Sequence, residues 1–169
     1  MFVPFAPIIS RKLSQLGEGK PFLLKRVWLV ITSLVLFWST AAYPESYAIV
    51  TLNPNLPPLK ASQVKMLYRG RLSHIDDINI SLLDLPQNSP LRQQFYYGLL
   101  GKSPAQMQAI WARQTFSGRS KAPFEAKQSD IQEIIAWLTH NKNGIAYIPA
   151  SWVTGSVHVI YVFNSEEPL

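Results

Sequence analysis

The hydrophobic pattern alternates short β-rich runs with stretches of helical spacing. Tyr47–Leu52 (YAIVTL) is an apolar run rich in β-formers, closed by NPNLPP, and reads as a strand. From Lys60 to Tyr68, Val64, Leu67 and Tyr68 share one helical face, and Gly70 ends that helix. Ile78–Leu85 (INISLLDL) reads as a second strand. Leu91–Leu100 carries Leu91, Phe95, Leu99 and Leu100 at helical spacing before Gly101. Ser103-Pro104 opens the next helix, with Met107, Ile110, Trp111 and Phe116 on its expected core face. Proline at a first helical position costs no hydrogen bond, because its missing N–H would have had no partner. Ser117–Gln128 reads as a loop, and Ser129–Gln132 fits a capping box ahead of the stripe Ile131, Ile134, Ile135 and Leu138. Ile145–Pro149 and His158–Phe163 complete the set as strands.

The order β-α-β-α-α-α-β-β predicts an α/β fold with a mixed sheet flanked by helices. In such sheets ligands gather at the carboxyl ends of strands, near helix N-termini. The turn from Asp84 to Arg92 is such a place. A helix N-terminus presents unpaired N–H donors and a partial positive charge, so it favours oxyanions. Asn88 and Ser89 add side-chain donors, and Arg92 follows one turn in; Arg119 and Lys121 lie in a loop that could reach the same anion. Serine is also among the commonest helix caps, and Pro90 removes one donor. Local sequence leaves both readings of Ser89 open.

Charge is unevenly placed. The formal net charge is +6, but residues 1–42 hold five Lys/Arg against Glu18, a net of +4, which leaves +2 for residues 43–169. Lys and Arg are scattered through the latter part, so no nucleic-acid footprint is read there. Lys25 and Arg26 precede the apolar run Val27–Phe37, and small residues follow it. This is the layout of a secretory signal, with cleavage expected after Ala42 and Ala48 as a second option. An uncleaved anchor is the alternative, although the stretch to Ala42 falls short of the ~20 residues a spanning helix needs. The division expected is therefore a leader at 1–42 and one domain at 43–169, exported to the periplasm. The chain has no cysteine, which excludes disulfides, thiol nucleophiles and thiolate metal sites. His74, His140 and His158 lack ligand spacing. No nucleophile, base and orienter can be assembled, so no enzyme and no cofactor is expected.

The stretches LKASQVKMLYRGR, DLPQNSPLRQQFYYGLLGKSPAQMQAIWARQTFSGRSKAPFEAKQSDIQEIIAWLTHNKNGIAYIPAS and VHVIYV together resemble the phosphate-type periplasmic substrate-binding proteins of ABC transporters. The likeness is closest to their short, single-lobe relatives and runs from Tyr47 to Phe163. Phe116-Ser117-Gly118 matches the family's F-x-G loop, Ser129-Asp130 its Ser-Asp helix cap and Gly144–Tyr147 its GIGY-like strand. The family's Ser-Gly-Thr phosphate turn corresponds here to Ser89-Pro90-Leu91, so the serine is kept. The Gly, the Thr and an upstream Arg, which falls near Leu85, are not. Arg92 matches an Arg common just inside that helix. The resemblance implies one lobe of a type 2 periplasmic-binding-protein-like fold, with a small oxyanion (phosphate by analogy) held by Asn88, Ser89, Arg92 and Arg119. It implies a membrane transporter or sensor as partner, and two copies pairing to rebuild a cleft. A module with a degenerate site that docks an envelope protein is the competing expectation.

Overall fold

The computed structural model describes residues 46–165, so the expected leader and its cleavage points lie outside the described residues, apart from the second option after Ala48. The chain runs through β1 (Ser46–Thr51), α1 (Ala61–Tyr68), β2 (His74–Ile75), β3 (Ile78–Asn79), β4 (Ser81–Asp84), α2 (Pro90–Leu100), α3 (Pro104–Phe116), β5 (Phe124–Glu125), α4 (Ile131–His140), β6 (Gly144–Pro149), one 3-10 turn (Ala150–Trp152) and β7 (His158–Asn164). Five strands form a sheet in the order β5-β4-β6-β1-β7, and β2 and β3 make a separate hairpin. β4 pairs in parallel with β5 and β6, whereas β1 pairs antiparallel with β6 and β7. β4, β5, β6 and β7 therefore present their carboxyl ends at one edge, against β1. The expected mixed α/β sheet is what forms.

Local sequence explains the central strands. β1 and β6 lie between neighbours and are buried along nearly their whole length, and a strand covered on both faces reads as a continuous apolar run. Tyr47 pairs with Pro149 and Val50 with Ala146, while the register against β7 shifts between Ile49 and Val50. An aromatic cluster fills the core. Phe95 of α2 stacks on Tyr147 of β6 with ring centroids 3.6 Å apart, and Tyr68 of α1 meets Phe95 edge to face at 4.8 Å.

Four expectations need correction. The run Ile78–Leu85 is two strands: the Ile80 N–H bonds Ser73 O and the Ser81 N–H bonds Asn143 O, so consecutive residues serve different sheets. The expected loop 117–128 contains β5, whose two residues are both exposed and so leave no apolar pattern. The capping box at Ser129–Gln132 does not form; Asp130 is the N-cap of α4, with no side-chain cap bond. Phe116 faces solvent, 97 % exposed, because α3 ends there and the chain turns away. By contrast Ser103 accepts from the Gln106 N–H while Gln106 reaches back to the Ser103 N–H, a reciprocal cap at the start of α3.

Candidate functional site at the carboxyl edge of the sheet

Asp84 ends β4 and is 2 % exposed. Its carboxylate accepts from Tyr96 OH and Tyr147 OH, each at 2.6 Å, and pairs with Arg92 Nη2 at 2.9 Å. Tyr147 OH also accepts the Leu85 N–H at 3.2 Å. Arg92 is 6 % exposed. Its Nη1 donates to Leu85 O at 2.9 Å and to Glu125 Oε2 at 3.1 Å, and its Cζ lies 5.9 Å from the Tyr96 ring centroid. Glu125 is in reach because β4 and β5 pair in register, Asp84 beside Glu125. Its other oxygen accepts the Gln87 N–H at 3.2 Å. One guanidinium thus ties the end of β4, the following turn and the edge strand β5.

Burial dominates the electrostatics. It pushes the Asp84 carboxyl above its usual range, while the Arg92 guanidinium and the phenols of Tyr147 and Tyr96 pull it back. Burial, and then the nearby Asp84 charge, hold Tyr68, Tyr96 and Tyr147 well above the ordinary tyrosine value. Burial disfavours the Arg92 charge, but Asp84 and Glu125 outweigh it and hold the guanidinium more firmly protonated than usual. With two carboxylates on one guanidinium, Arg92 has little positive field left for a ligand.

Ser89 is the N-cap of α2, with extended backbone, yet its side chain makes no cap bond. Its hydroxyl instead accepts from Ser129 Oγ at 2.7 Å. Ser129 immediately precedes the N-cap of α4, so the N-termini of α2 and α4 meet at this hydroxyl pair. The N–H groups of Leu91, Arg92, Ile131, Gln132 and Glu133 make no backbone hydrogen bond among the described residues, the usual state of first-turn donors. A cavity of about 630 Å³ opens beside Ser129, lined also by Asp130, Gln132, Ser151, Trp152 and Thr154. No cation lines it.

The structure thus brings Asn88, Ser89 and Arg92 to one turn, with Asn88 exposed, Ser89 hydroxyl-bonded and Arg92 paired. It sets Arg119 elsewhere, exposed on the turn after α3, where its N–H bonds Gln114 O at 3.0 Å. Sequence reasoning missed Asp84, Glu125 and the tyrosine pair. A lone carboxylate inside LLDL was a usable signal for Asp84; Glu125 had none, because its role depends on strand register. No cluster of three metal-ligating side chains occurs among the described residues.

No protein-family model matches the sequence, and neither does any curated protein. Solved structures do match. A protein from Clostridium perfringens assigned as a phosphate ABC transporter substrate-binding protein, solved with bound phosphate, aligns over 69 % of this chain and 44 % of its own, with a TM-score of 0.52 and 20 % identity. An ABC-type phosphate transport receptor from Vibrio cholerae aligns over 69 % of this chain and 45 % of its own, with a TM-score of 0.51 and 17 % identity. The fold is that of substrate-binding proteins. The chain spans less than half the length of either neighbour.

Proposed function

We propose that the chain is an exported, single-lobe solute-binding protein that takes a small oxyanion, phosphate by analogy with the two neighbours, where α2 and α4 meet. The convergence of two helix N-termini on the Ser89–Ser129 hydroxyl pair supports this reading, because it aims unbonded N–H groups and two partial positive charges at one point. Ser89 and Ser129 act as hydroxyl donors and Asn88 as a rim donor. Arg92 serves the site chiefly by holding the turn, its charge being shared with Asp84 and Glu125. Arg119, which no contact ties to this turn, contributes through its exposed charge alone. The leader directs export and is cut after Ala42. The loaded lobe works in uptake or sensing through a membrane transporter or sensor, and a second copy can cover the open face.

One observation favours a second reading, an interaction module with a degenerate site. The cation best placed to bind an anion is already neutralised by two carboxylates. Thermal unfolding with phosphate, sulfate and chloride at matched ionic strength separates the two. Phosphate at ~100 times its dissociation constant adds ~2.7 kcal/mol and raises the midpoint by several degrees. A phosphate-specific rise that Ser89→Ala and Ser129→Ala each diminish supports binding at this turn. No rise at millimolar phosphate sinks it and favours the interaction module.

A further inference from the structure

The cations that look scattered in the sequence converge in the fold. Residues 46–75 and 85–124 contain no Asp or Glu. The structure joins these two acid-free stretches at the C-terminal ends of α1 and α3. Ser120 Oγ donates to Gly70 O at 3.1 Å. Gly70 has φ +66°, and a Cβ there would stand 2.7 Å from the Trp111 ring and 2.8 Å from Ser120 Oγ, so only glycine permits this approach. Arg69 and Arg71 flank Gly70, and Arg119 and Lys121 flank Ser120. Arg113 lies one turn before the end of α3, and the Ser117 N–H bonds its carbonyl at 3.0 Å. Among the described residues both ion pairs belong to Arg92, and none of these five cations has a partner. Of the acids nearest in sequence, Glu125 is held by Arg92, and Asp76 and Asp77 occupy the tip of the β2–β3 hairpin.

Phe116 stands in this basic field 97 % exposed, and Met66, on the last turn of α1, is 38 % exposed. A phenylalanine this exposed, with Arg113 three residues before it and Arg119 three residues after it, matches an anionic lipid surface. Headgroup charge attracts the Lys and Arg side chains, and the ring enters the interface. A single-stranded nucleic acid would instead call for a basic groove with several aromatic platforms; Phe124, the other exposed ring near Lys121, stacks on Trp137 with centroids 6.0 Å apart, which leaves Phe116 as the free ring beside these cations among the described residues.

We propose that this face, formed by Arg69, Arg71, Arg113, Phe116, Arg119 and Lys121, docks on an anionic phospholipid surface. It shares only Arg119 with the proposed oxyanion site and does not rest on phosphate binding.

The test uses the full chain. Because the chain has no cysteine, Phe116→Cys can carry an environment-sensitive fluorophore that reports this face alone, whatever the leader does. The protein is mixed with phosphatidylcholine vesicles containing about a third phosphatidylglycerol, or with pure phosphatidylcholine vesicles. Insertion predicts a blue shift with the anionic vesicles only, abolished at high salt because exposed charges are then screened. Arg71→Gln/Arg113→Gln/Lys121→Gln, all at exposed positions, is expected to shift half-saturation of this signal about a hundredfold in lipid concentration, at roughly a factor of five per cation removed. Unlabelled Phe116→Ser should weaken co-sedimentation severalfold. An unchanged label spectrum, equal shifts with both vesicles, or equal half-saturation in the triple variant would overturn the proposal. So would a label that responds to a single-stranded oligonucleotide but not to the anionic vesicles.

Discussion

Arg92 and Arg119 are both basic residues next to a turn, and the sequence offers each as an anion donor. The fold treats them oppositely. Arg92 is buried, bonded to Leu85 O and shared by Asp84 and Glu125. Arg119 is exposed and comes, with Arg69, Arg71, Arg113 and Lys121, from two stretches of sequence without acids. What separates them is the company that strand register and helix ends provide. A guanidinium paired twice is a structural tie, and unpaired guanidinium groups in a cluster form a surface that attracts.

That contrast breaks first in stability. Arg92→Ala leaves the Asp84 carboxyl buried without its counter-ion, and removing one partner of a buried pair costs about 3–5 kcal/mol. Arg119→Ala touches only solvent and should stay within about 0.5 kcal/mol of wild type. Urea unfolding of both variants measures the gap. Equal midpoints would mean that the Asp84–Arg92–Glu125 tie carries no weight.

The buried region should also fail selectively at high pH. Tyr68, Tyr96 and Tyr147 titrate above the ordinary tyrosine value of 10.0 in the folded chain. Above that value the unfolded chain loses phenolic protons that the native state keeps, so the native state binds more protons and stability falls as pH rises. Three such groups remove about 3 kcal/mol between pH 10 and 11. Denaturant titrations at the two pH values check this, and Tyr68→Phe/Tyr96→Phe/Tyr147→Phe should flatten the slope. A slope unchanged in that variant would place the alkaline loss elsewhere.

Legibility follows the same divide. The long strands and all four helices can be read from the sequence because burial imposes period and composition on them, as in YAIVTL and the stripe ending at Leu138. β5 escapes because two exposed residues carry no pattern, and its pairing with β4 decides what Glu125 touches. The basic face escapes because its cations come from stretches some fifty residues apart, joined by Ser120 on Gly70. Phe116 reads as core by spacing alone, since nothing local shows that α3 has no neighbour there. At the site, the turn and Ser89 are legible as a helix opening on a strand end. Ser129 looks like half of a capping box, and its true partner lies on another helix.

The smallest effects fall on that hydroxyl pair, and they sharpen the contrast most. Ser89 makes no side-chain cap bond, so Ser89→Ala loses none of the ~1 kcal/mol that a serine cap typically supplies. The lost term is one neutral hydrogen bond to Ser129, worth about 0.5–1.5 kcal/mol. Ser129→Ala removes the same bond, so the double variant Ser89→Ala/Ser129→Ala should cost no more than either single one. Residues that share one interaction give a non-additive cycle, and thermal melts of the four proteins read it directly. Strict additivity would mean that the two hydroxyls act apart and that α2 and α4 are not tied at their N-termini. Non-additivity in stability, together with an equal loss of any phosphate response in both single variants, would make the pair one functional unit rather than two caps.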